Sequence, residues 1–204
     1  MVHPSCLYRP IQNERIRNGS LYWSRTLHIV QLHSEFDQVR TDNKRFFTNN
    51  ATFDLMEKKI EIENAGLQDE IEMILRAIAE GNNSAVGDIA KPLRGSTLIE
   101  TARNIWNFER SKIKYKERPP HRIVLKTSNR TLLDKECNAS SFCILSGALL
   151  QALEIKFKLR VAEIGPGHYH SWIIVPDGSS FITIDPLIDL FNRQHSIILR
   201  SWDY

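Results

Sequence analysis

The chain has 204 residues, 42% hydrophobic and 25% charged, with a formal net charge of +3. That is the balance of a soluble globular protein with a real core, long enough for one domain and an attached extension. Three cysteines, with Cys6 far from Cys137 and Cys143, exclude a disulfide framework, and a charge this small names no polyanionic partner.

Met1 to Pro10 has no apolar signal-peptide core and no stretch reads as a membrane span, so the expected setting is a reducing cytoplasm or a particle assembled there. Residues 1–65 form an aromatic-rich, irregular extension with polar breaks at Asn18-Gly19 and Asn49-Asn50. Leu21, Trp23, Leu27 and Ile29 hint at one strand or one helix face. Such an arm suits packing on its own domain or contacts within a larger protein assembly. Residues 66–204 make the expected domain. A helical pattern starts near Thr52, through Phe53, Met56 and Ile60, and continues with Leu67, Ile71, Ile74, Leu75 and Ile78 up to Gly81. A short helix over Ser84–Leu93 follows, and Thr97-x-x-Glu100 caps the next.

The densest basic run, Lys112 to Lys135, reads as a solvated linker around Pro119-Pro120. It lacks interleaved stacking aromatics beyond Tyr115, so neither a nucleic-acid nor a membrane partner is expected. Thr131 to Asp134 has capping-box spacing ahead of an almost wholly apolar helix through Phe142, Leu145, Leu149 and Leu153, with Cys137 in its first turn. A thiol beside unpaired N–H groups at the positive end of a helix favours the thiolate and has an oxyanion site at its own backbone N–H.

Strands are expected over 156–164, 170–176 and 180–185, with an edge strand in the tail from His195 to Trp202. Asp177-Gly178 between β-branched runs signals a two-residue hairpin loop, which sets Pro176 against Ser179 and His170 directly opposite Asp185. A directly opposed pair brings the carboxylate to the imidazole N–H and fixes its tautomer. Helices first, then the cysteine helix, then antiparallel strands read as an α+β fold with that helix packed on the sheet.

The ordered set Cys137, His170-Ser171-Trp172 and Asp185-Pro186, preceded by Ala102, Ile105, Trp106, Phe108 and Ile113-Lys114-Tyr115, resembles the transglutaminase-like superfamily of papain-like cysteine enzymes, including bacterial and phage members. The resemblance spans about Leu67 to Leu190 and implies Cys137 as nucleophile, His170 as general base and acid, and Asp185 as orienting carboxylate. The implied reaction is acyl transfer from a peptide or amide with no cofactor; water is the expected acceptor, which makes the chain a cysteine peptidase or amidase, and an amine acceptor would make it a cross-linking enzyme. The chain departs from the family pattern at Lys135-Glu136, where Gly-Asp is usual, and at Glu154, where a Gly often follows the helix.

Other assignments compete for these residues. His168 shares strand parity with His170 but lacks the His-x-Trp context, and Asp189 is a second carboxylate. Trp106 and Tyr115 are oxyanion donors in some relatives or plain core aromatics. Cys137 and Cys143 with His168 and His170 would make a Cys2His2 zinc set, but a helix places the two thiols about 240° apart. The rival reading is a non-enzymatic component of a larger assembly, such as a phage particle, that keeps the fold and uses the arm for contacts.

Overall fold

The computed structural model describes residues 59–63, 65–81, 84–119 and 122–204, so residues 1–58 of the aromatic arm, with Cys6 and the expected helix start at Thr52, Phe53 and Met56, lie outside the described residues. The chain there is a mixed α and β structure. Strand β1, Lys59–Glu63, pairs antiparallel with β3, Arg122–Lys126. Ile60 thus belongs to a strand, not to the expected helix. Its alternation with Lys59 and Glu61 satisfies a period of two as well as of four, and β3 supplies the partner.

Helix α1, Leu67–Glu80, buries Ile71, Ile74, Ala77 and Ile78 on one face and stops at Gly81. Helix α2, Ser84–Ala90, and a 3-10 turn, Lys91–Leu93, lead to α3, Leu98–Lys112, capped where the Thr97 side chain accepts from the Glu100 N–H. The basic run that follows is structured, contrary to the linker expectation. It holds β2, Lys114–Tyr115, then β3 with Ile123, Val124 and Leu125 buried, then α4, Ser128–Asp134. Lys116 pairs with Glu136 at 2.6 Å, Arg118 with Glu70 at 3.1 Å, Lys126 with Asp134 at 2.8 Å and Arg130 with Asp134 at 2.9 Å.

Lys135, at a left-handed φ of 53°, ends α4, and Glu136–Cys137 forms β4, parallel to β2 with Tyr115 against Cys137. Helix α5, Ala139–Ala152, begins only after Asn138, whose side chain accepts from the Ser141 N–H at 3.0 Å. The Thr131 to Asp134 spacing therefore belongs to the last turn of the preceding helix. Every residue of α5 from Ser140 to Leu150 is buried, as expected of a helix apolar nearly all round. Gly147 makes room for α1, since a Cβ there would sit 2.6 Å from Ile78 Cδ1.

The main sheet has the order β7-β6-β5-β8, antiparallel throughout, from β5, Lys158–Gly165, β6, His168–Asp177, β7, Ser180–Ile184, and β8, Arg200–Asp203. One face, with Leu159, Val161, Ile173, Val175, Ile182 and Ile184, closes the core against the helices. The other face carries a smaller cluster of Ala162, Trp172 and Ile174, with Ile198 of the tail packed on it. Among the described residues no helix is long and apolar enough to cross a membrane.

Candidate active site

His170 and Asp185 meet, though not in the expected register. The hairpin pairs Asp177 with Ser180 and Ile173 with Ile184, so continuing the ladder sets Asp185 against Trp172 and leaves His170 two pairs further along. The turn explains the difference. Gly178 has φ of 60° and Ser179 is not among the positive-φ residues, which fits a primed turn with Gly at its first central position instead of the Asp-Gly turn expected. Moving the loop by one residue shifts the pairing by two, so the parity survives and both side chains stay on one face. The diagonal is bridged by the side chains, with His170 Nε2 2.7 Å from Asp185 Oδ2 and both residues buried.

Asp185 is held from several sides. Its Oδ1 accepts from the Leu187 N–H at 3.0 Å, and its backbone carbonyl accepts from Trp106 Nε1 at 2.9 Å. Arg110 donates to the carbonyls of Pro186 and Ile188 at 2.9 and 3.1 Å and pairs with Asp189 at 3.0 Å. Asp189 is thus a clamp for the loop after β7, and Trp106 anchors the carboxylate's backbone. With Nε2 against Asp185, the His170 ring turns Nδ1 away from the carboxylate. Among the described residues that buried Nδ1 has no hydrogen-bond partner.

The Cys137 thiol makes no hydrogen bond with Nδ1. Cys137 is 1% exposed in β4, with its carbonyl accepting from Lys116 N at 2.8 Å. Burial pushes its thiol well above the usual range, the Glu109 carboxyl adds to this, and Lys126 only partly opposes it. This reverses the expectation of a thiolate favoured by a helix terminus, because the cysteine precedes the helix and lies within the core. The α5 residues that share a cleft with His170 are Ala139 and Ser140, and that cleft is also lined by Glu70, Tyr115 and Arg118. Cys143 donates to Ser171 Oγ at 3.6 Å and is likewise pushed up by burial.

Two residues with no distinctive spacing join the site. Glu109 is fully buried on α3 and accepts from Ser146 Oγ at 2.7 and 2.9 Å; burial raises its carboxyl well above the ordinary range. His195, in the segment before β8, sets its ring edge-on to His170 with centroids 4.7 Å apart. Burial, then the neighbouring His170, lowers its basicity, with Asp185 opposing. His168 is on the same strand, two residues before the His170–Asp185 pair.

No protein-family model and no curated protein matches this sequence. Similar solved structures include a "Putative Cysteine Protease from Cytophaga hutchinsonii", 13% identical over 64% of this chain with a TM-score of 0.46. Another is a "TGase", 10% identical over 81% of this chain with a TM-score of 0.39. The chain spans 47% and 41% of the lengths of these two proteins.

Proposed function

We propose that the chain is a transglutaminase-like, papain-type domain in which the His170–Asp185 pair serves binding, and that Cys137 does not carry out acyl transfer. The observation that supports it is the state of the pair: Nε2 is tied to Asp185 while Nδ1 has no hydrogen-bond partner among the described residues, and Cys137 is buried, with its thiol pushed up by burial and by Glu109. The family reading is supported by the ordered cysteine, His-x-Trp and Asp-Pro motifs and by a buried helix packed on an antiparallel sheet. The cleft beside His170 suits a peptide or protein segment, since the Tyr115 and Tyr169 rings line it and the Glu70–Arg118 ion pair closes part of its wall. Assembly contacts through residues 1–65 belong to the same proposal, resting on their aromatic-rich sequence.

The second reading is thiol-dependent hydrolysis, favoured by the buried His170–Asp185 hydrogen bond. In it the Cys137 thiolate attacks a peptide or amide carbonyl, His170 returns the proton to the leaving amine, and water releases the acyl group. This requires the sulfur to be ionised and to reach Nδ1. Alkylation with iodoacetamide near pH 6, mapped by peptide mass, separates the two. Binding without thiol chemistry predicts equally slow modification of Cys137 and Cys143; fast modification of Cys137 that is lost in His170→Ala would establish the triad instead.

A further inference from the structure

We propose that His170, Asp185 and His195 form a binding site for a divalent transition-metal ion of the zinc class, which deepens the binding reading by naming a ligand for the retained pair. One ligand atom from each of the three residues, a ring nitrogen or a carboxylate oxygen, lies within 4.8 Å of the others. The three come from separate parts of the chain: β6, the end of β7 and the segment leading to β8. Two imidazoles and one carboxylate are a ligand set that suits zinc and its first-row neighbours, and three protein ligands leave a coordination position for water or a bound group.

Packing alone accounts poorly for this trio. Among the described residues, His195 Nε2 is buried without a hydrogen-bond partner, and the ion would take its His170 ligand from Nε2, the ring nitrogen 2.7 Å from Asp185 Oδ2, while the Trp172 ring stacks on His170 with centroids 5.5 Å apart. Buried polar atoms are normally satisfied, and a metal ion satisfies imidazole nitrogens that have no donor or acceptor nearby. Ligands at about 2.0–2.2 Å from an ion stand closer together than the widest separation here, so binding draws His195 inward. His195 lies outside the sheet strands.

The test uses the full chain and Zn²⁺ alone, titrated in competition with a chromophoric chelator. One equivalent is expected to bind, and His195→Ala is expected to weaken binding by more than the ~10–100-fold that loss of an outer-shell partner costs. Co²⁺ in place of Zn²⁺ is expected to give visible ligand-field bands without a thiolate charge-transfer band. Failure to bind, unchanged affinity in His195→Ala, or a thiolate band would each overturn the site. Because alkylation of Cys137 is read in metal-free protein, failure of the metal site and failure of the binding reading are told apart.

Discussion

At the scale of single residues, the decisive difference is two positions long. Asn138 caps α5, so Ala139 is its first residue and shares the cleft with His170, whereas Cys137 lies in β4 inside the core. A thiol placed at Ala139 would stand beside the free N–H groups of a long helix and on the cleft that Nδ1 borders. Ala139→Cys is expected to be alkylated near pH 6 roughly tenfold or more faster than Cys137, with the advantage lost when His170→Ala is added. Equal rates at 137 and 139 would show that the ring does not serve that position. Glu109 yields a second prediction at this scale. Its folded-state carboxyl is raised above an ordinary value of 4.5 by burial, so the folded chain holds a proton that the unfolded chain releases. The stabilisation is complete below about pH 4.5 and is lost as pH rises toward the folded value, at up to about 1.4 kcal/mol per pH unit. Glu109→Gln, with a neutral side chain of the same shape, is expected to flatten the fall between pH 5 and 8 in urea midpoints and to raise stability at pH 8.

At the scale of elements, helix and strand identity was legible where periodicity was long, and boundaries failed where local chemistry chose between two similar signals. The strands 156–164, 170–176 and 180–185 fall within two residues of β5, β6 and β7, because β-branched runs bounded by Gly and Pro have few other uses. The hairpin loop had both Asp-Gly and Gly-Ser to draw on, and the second prevailed; the His170–Asp185 pair survived because parity is unchanged by a shift of two. The position of Cys137 was not legible, since a capping-box spacing at Thr131 masked the actual cap at Asn138 and nothing marked Lys135 for a left-handed conformation. His195 had no local signal at all, because its role depends on where the tail returns. The end of α5 carries a testable consequence of the departure at Glu154. That exposed residue has φ of 58°, the position where helices favour glycine. Left-handed backbone costs an L residue about 1–2 kcal/mol, partly offset by the entropy glycine loses on folding. Glu154→Gly is expected to stabilise the fold by about 0.5–1 kcal/mol, raising the urea midpoint without changing the slope; a lower midpoint would refute the account.

For the whole molecule, the strand at the end of the described chain governs both the sheet edge and the site. Strand β8 pairs with β5 from Arg160 against Asp203 to Glu163 against Arg200, and the ladder is flanked by ion pairs of Arg160 with Asp203 at 2.6 Å and Arg200 with Glu163 at 2.7 Å. The same segment lays Ile198 on the Trp172 cluster and His195 on His170. Surface ion pairs alone contribute little, so the tail is held mainly by the ladder and this apolar contact. Removing residues 195–204 is therefore expected to cost about 2–4 kcal/mol, seen in urea unfolding, and to raise acrylamide quenching of Trp172 fluorescence in a chain whose other tryptophans are replaced by phenylalanine. It would also turn β5, an eight-residue strand with Val161 and Ala162 at its centre, into an open sheet edge. Unprotected edges of that length pair with other copies, so sedimentation of the truncated chain is expected to show concentration-dependent association that the full chain lacks. If the shortened protein stays monomeric with unchanged stability and quenching, β8 does not guard the sheet edge.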